Sequence, residues 1–278
     1  MKNILKIMLM MITIFTIAGS AVYAAEIPVS DQDQLITSSD WTEISNLQDE
    51  MKKEEPDATI DYDKALKVYV DCNLIKLQTA DTKKLTSALE SANYVWVIPF
   101  KMEKTYGMFT VAKGLPLREE AKSVLTKAEQ EEVKNHVGKW MITEIAEHTV
   151  EPYYDILLEK REALSDCTRV VLVGSQPGMR QPVALGMDDE TARIWISLGY
   201  QYPVMEKIPE TQNVESGVYS FDSVAEISDT YIEDSEVSTG VGVQSRSSMK
   251  YVAGIGIIVI GSILILSVLK KKKLEDYE

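Results

Sequence analysis

Residues 94–100 read Tyr-Val-Trp-Val-Ile-Pro-Phe. The run is dense in β-branched and aromatic side chains, which pack well on a pleated surface. It is apolar at successive positions, so both of its faces call for cover. A strand buried on both sides needs packed layers around it, and the helical patterns elsewhere in the chain make the fold class α+β. Pro99 has no N–H for a ladder and belongs at the strand's end or on an edge. Residues 106–111 return as the second arm of a hairpin through a loop at 101–105.

Upstream, Leu66-Lys67-Val68-Tyr69-Val70-Asp71-Cys72 alternates apolar and polar. That is a half-buried strand with Leu66, Val68, Val70 and Cys72 inward. Asp81 or Thr82 starts a short helix through Leu85 and Leu89. Trp41, Ile44 and Leu47 sit at helical spacing behind Ser38, Ser39 or Asp40 as a cap. Residues 51–57 read as a charged linker.

Downstream, Gly114 and Pro116 stop the hairpin. Thr126-Lys127-Ala128-Glu129 fits a capping box. Val133, Val137, Trp140, Met141 and Ile145 then predict one helix running to about His148. Pro152 opens a second helix with Ile156, Leu157 and Leu164, and the two read as an antiparallel pair on the sheet. Three short strands follow at 169–173, 183–186 and 192–198, a meander with turn-rich loops, and residues 217–221 add an edge strand. The expected domain, residues 61–225, is therefore an antiparallel sheet of about five to seven strands covered by two helices. A polar segment, 25–60, precedes it. Residues 226–249 carry few large hydrophobes and read as a flexible acidic stalk.

The ends of the chain predict its location. Residues 251–269 hold nineteen positions without a charge, followed by Lys270, Lys271, Lys272 and Lys273. A helix of that length spans roughly 28 Å, close to the hydrocarbon core of a bilayer, and the lysines act as a cytoplasmic stop-transfer signal. A buried core helix is the competing reading, but it needs neither the length nor the lysines. Gly254, Gly256 and Gly261 lack the four-residue spacing of a dimerising helix pair. At the other end Lys2 and Lys6 precede an apolar stretch, 7–18, and Val22-Tyr23-Ala24 offers a processing site. Residues 1–24 therefore read as a signal peptide cleaved after Ala24, with an uncleaved anchor as the alternative. The topology expected is single-pass and type I, with the bulk of the chain extracytoplasmic, membrane lipid contacted through 251–269, and a short tail, 270–278, inside. None of the asparagines has Ser or Thr two positions on, so there is no glycosylation acceptor; this favours a bacterial source.

The chain carries 29 basic and 43 acidic residues. Seven of the bases (Lys2, Lys6, Lys250 and the four of the run) and three of the acids (Glu275, Asp276 and Glu278) lie at the ends. The outer part thus keeps 22 bases against 40 acids, a net of −18. Such a field repels nucleic acid and anionic headgroups, and suits basic partners or plain solubility. Cys72 and Cys167 are the only cysteines. In an oxidising compartment they form a disulfide or stay as two buried thiols.

No reaction class has a complete set of residues. His136 and His148 are twelve apart, too far for one helix to aim both at one ion. Glu144, Glu147 and His148 resemble part of a zinc helix, but Glu144 stands where the second histidine is needed. Ser175 has Gly174 before it and Gly178 three after, the wrong spacing for a serine nucleophile elbow. Cys72 faces inward on a strand and Cys167 precedes one, so neither is placed as a nucleophile. Asp229, Glu233, Asp234 and Glu236 do not form a calcium loop. Trp96, Trp140 and Trp195 fall on core faces. The sequence therefore implies no cofactor and no metal. The function expected is a membrane-anchored binding or accessory protein with a membrane or surface protein as partner. The alternative is a surface hydrolase using carboxylates or a serine without a motif.

Overall fold

A computed structural model of the chain describes residues 27–148, 151–174, 176, 182–198, 213–215 and 217–229. The segments read from sequence as signal peptide, membrane span and lysine run, and residues 230–249 of the expected stalk, lie outside them. Among the described residues no helix is long and apolar enough to cross a membrane.

The strands are β1 (Thr59–Ile60), β2 (Leu66–Val70), β3 (Asn93–Lys101), β4 (Tyr106–Lys113), β5 (Trp140–His148), β6 (Arg169–Val173), β7 (Val183–Met187), β8 (Ala192–Ser197), β9 (Asn213–Glu215) and β10 (Val218–Ser220). All ten form one sheet in the order β5-β4-β3-β2-β6-β7-β8-β10-β9, with β1 also on β3. The mixed α+β class holds, but the sheet exceeds the five to seven strands expected. It is also not wholly antiparallel, because β2 and β6 run parallel. Two antiparallel meanders, β2 to β5 and β6 to β9, grow outward from that central pair.

Alternation assigns the faces. Val171 and Val173 of β6, Leu185 of β7 and Trp195 of β8 look to one face, while Val170, Leu172, Ala184 and Ile196 look to the other. Helix α3 (Thr82–Glu90) and helix α7 (Phe221–Asp229) cover the first face over the β6 half, through Leu85, Leu89, Phe221 and Val224. Helix α1 (Trp41–Ile44) and helix α2 (Gln48–Glu54) cover the same face over the β3 half, through Ile44 and Met51 against Trp96, Phe100 and Phe109. The second face receives Tyr153 and Leu157 of helix α6 (Tyr153–Glu159). Cover by two helices thus falls short, because each face is wide enough to need its own. The remaining helices are α4 (Glu119–Lys122) and α5 (Lys127–His136).

Several expectations hold at the residue. Thr126 and Glu129 form the capping box. Asp81 caps α3 by accepting from Lys84 N at 2.9 Å. Trp96 and Trp195 are fully buried. Others are corrected. Residues 51–57 are helical as far as Glu54, with Met51 buried. Residues 226–229, expected at the start of a stalk, belong to α7. β10 is not an edge: it pairs with β8 and β9. Pro99 lies inside β3, opposite Met108. Its carbonyl accepts from Asp61 N at 2.9 Å. Its missing N–H therefore faces the break between β1 and β2, where no ladder bond is lost.

The largest correction concerns residues 126–148. Helix α5 ends at His136, Gly138 turns the chain at φ 76°, and residues 140–148 form β5. That backbone region is open to glycine and strained for other residues. No antiparallel helix pair with α6 exists. A β-bulge explains the misleading spacing. Val111 pairs with Ile142 and Thr110 with Glu144, so Thr143 is an extra residue. Trp140, Ile142 and Ile145 then share the first face at intervals of two and three, which imitates a helical stripe.

Candidate functional site

The central parallel pair is short. β2 and β6 meet only at Val68–Leu172 and Tyr69–Val173 and splay apart toward their N-termini. Residues 27–35 fill the gap. Val29 forms a parallel bridge with Val170 and Gln34 an antiparallel bridge with Leu66. Val170 N donates to Pro28 O at 2.7 Å, and Leu35 N to Ala65 O at 3.2 Å. On their other sides Val170 pairs with Gly186 and Leu66 with Val97. The edges that this N-terminal strap occupies are therefore the two that face each other across the seam. The strap starts among the second-face core with Ile27 and Val29 and reaches the first face at Leu35.

Asp33 is 2% exposed at the middle of that passage. Its Oδ1 accepts from Tyr69 Oη at 2.7 Å and lies 3.8 Å from Lys67 Nζ. Its Oδ2 accepts from Ser30 Oγ at 2.6 Å and from an Arg169 Nη at 3.0 Å. One cation comes from β2 and one from β6, so a single buried carboxylate ties both strands to the strap. Charge-assisted bonds of this kind are short and strong, and a buried charge needs them. Arg169 Nε, also buried, has no hydrogen-bond partner.

The network continues through Lys67, whose Nζ lies 4.6 Å from the Tyr94 ring centre and 5.2 Å from that of Trp96. Such cation–π contacts hold an ammonium group among rings. Asp40 Oδ2 accepts from Tyr94 Oη at 2.9 Å and from Trp96 Nε1 at 3.0 Å. Asp40 makes no side-chain cap to α1; it serves the sheet instead. Burial pushes the Lys67 ammonium below its ordinary range, against the pull of Asp33 and Asp40. Burial, with the bond to Asp40, raises the Tyr94 phenol to about 12. Burial also raises Tyr69, with the bond to Asp33 adding to it.

The residues considered from sequence lie elsewhere. Cys72 and Cys167 are free thiols. Cys72 packs against the first-face cluster and Cys167 lies in the second-face cluster. Burial raises them to about 12 and about 11, which makes both poor nucleophiles. Glu144, Glu147 and His148 stand on a strand, so the zinc-helix resemblance dissolves; Glu144 and Glu147 point to opposite faces. Glu144 is half-buried on the second face with no hydrogen-bond or ion-pair partner among the described residues, and desolvation raises its carboxyl to about 7. Among the described residues no group of three or more His, Cys, Asp or Glu converges on a metal position. Two shallow hollows flank the loop after β2. The larger, about 360 Å³, lies between Ile75 and Phe221.

Sequence reasoning missed the Asp33 centre. One signal was present: Lys67 interrupts an apolar strand, and Arg169 opens another. Fold and site together define an α+β protein whose sheet is closed by its own N-terminal segment. Comparison with known proteins adds no name: no protein family, curated protein or solved structure matches the chain.

Proposed function

We propose that the chain is a membrane-anchored, extracytoplasmic binding or accessory module, held by a single span at residues 251–269 with its N-terminus outside. The observation that carries this reading is the order of its parts. The described body runs to Asp229; residues 230–250 follow, then nineteen uncharged positions and four lysines. Fully extended, those twenty-one residues reach at most roughly 70 Å, enough for the body to meet proteins around its anchor. The buried charges of the body also favour a structural use: Asp33 and Asp40 are engaged by sheet side chains rather than directed at an open cleft.

In-cell crosslinking followed by purification from detergent-solubilised membranes tests the proposal. A reproducible stoichiometric membrane or surface partner is expected. A clean monomer overturns the accessory reading. A second reading, a surface hydrolase acting through carboxylates, has Glu144 on its side, since a carboxyl raised to about 7 is suited to general-acid work. It predicts hydrolytic turnover that Glu144→Gln abolishes.

A further inference from the structure

Strand β5 is one end of the sheet, bordered only by β4. Which of its main-chain groups face outward follows from the ladder. Gly114 N donates to Lys139 O at 2.9 Å. Lys113 and Trp140 are therefore a pair without mutual bonds, and bonded and unbonded pairs alternate from there. On β4 the main chain of Thr110 and Met108 turns to β5, and that of Phe109 and Gly107 to β3. Strand β3 agrees: Pro99, opposite Met108, turns its carbonyl to Asp61 instead. Past the bulge at Thr143, Ile145 pairs with Phe109 and Glu147 with Gly107. Their N–H and C=O groups thus point away from β4, and among the described residues nothing bonds to them. Unpaired groups in a row along a sheet edge are a template for an added strand.

The charge beside this edge is one-sided. Glu147 is exposed on the first face and Glu144 half-buried on the second. Burial, then the Glu147 and Glu54 charges, hold the Glu55 carboxyl above its ordinary range, so the end of α2 brings two more acids up to Glu147. None of these four carboxylates has a hydrogen-bond or ion-pair partner among the described residues. We propose that the outer edge of β5 at residues 144–148 takes an extended, basic segment of a partner protein by strand addition. Main-chain bonds to Ile145 and Glu147 hold the segment, and its Lys or Arg side chains lie beside Glu147 on one face and Glu144 on the other. A second copy of β5 along the same edge would set these acids beside their like, which opposes self-pairing. A basic segment relieves them and is selected for it. The bulge interrupts the edge at Thr143 and so limits the added strand to the residues after it. This inference names a partner chemistry for the binding reading and rests on it. Its tests use a peptide on purified chain, so their failure leaves the search for other partners untouched.

The probe is a labelled peptide, Val-Lys-Arg-Val-Lys-Arg-Val, which carries basic side chains on both faces when extended. It is titrated by fluorescence anisotropy against the full-length chain in a neutral detergent. Saturable binding is expected. It should weaken about tenfold when the peptide's main-chain nitrogens are methylated, which keeps the charge and removes the donors. It should weaken about tenfold as well against Glu147→Lys, an exposed position whose substitution leaves the core intact. No saturable binding means that the acids merely guard the edge, and overturns the proposal. Equal binding of the methylated peptide means attraction without strand addition, and overturns it too. A second measurement needs no variant. Amide hydrogen exchange of the wild-type chain is expected to slow about tenfold at Ile145 and Glu147 when the peptide is bound. Unchanged exchange at both overturns the proposal.

Discussion

At the scale of single residues, the fold turns on where charge is hidden. Asp33 holds Lys67, Tyr69, Arg169 and Ser30 at once. Asp33→Ala leaves two poorly hydrated cations facing each other, so it is expected to cost about 3 kcal/mol, read as a lower denaturant midpoint of the purified chain. Glu144 is the opposite case, a half-buried carboxyl with no pairing partner among the described residues. Desolvation raises it from 4.5 to about 7. Between those values the folded chain keeps a proton that the unfolded chain has released, so stability falls as pH rises through that window. Glu144→Gln should remove this slope and make the chain more stable than wild type at pH 8. Denaturant unfolding at pH 5 and pH 8 checks both points. Cys72, half-buried on one face, and Cys167, buried on the other, both with raised pKa, should alkylate mainly on unfolding, and a reductant should leave the mass of the native chain unchanged.

At the scale of elements, the strands that border the seam were legible and the segment that fills it was not. Residues 94–100, 66–70 and 169–173 announce themselves by composition and alternation, because burial on a pleated sheet leaves that trace locally. Residues 27–35 leave none: their partners on β2 and β6 are more than thirty and more than a hundred positions away. The strand at 140–148 misled for a physical reason, since the bulge at Thr143 shifts the core-facing positions into helical spacing. Gly138, just past the end of α5, was the available warning. Deleting Thr143 should keep every face assignment on β5 and lose about 1 kcal/mol with its bond to Thr110 O. Deleting Val97 from the unbulged β3 would invert the residues after it and should abolish folding; circular dichroism separates the two outcomes. Gly107 lies opposite Phe100, and a Cβ there would stand 2.1 Å from the ring. Gly107→Ala should therefore destabilise by about 1–3 kcal/mol.

At the scale of the whole molecule, a sheet closed by its N-terminal strap forms a body described as far as Asp229. The chain then continues to an uncharged run and four lysines. Among the described residues the two buried acids, Asp33 and Asp40, are matched by donors, and the other acids with a described burial are half-buried or exposed. The ends of the chain are what would put this body outside a membrane and hold it there. The most direct measurement is protease treatment of intact cells or spheroplasts carrying a C-terminal tag. The account predicts cleavage within residues 230–249, release of the folded body to the medium, and a small tagged fragment retained in the membrane. A body that is protected until the cells are lysed would contradict it.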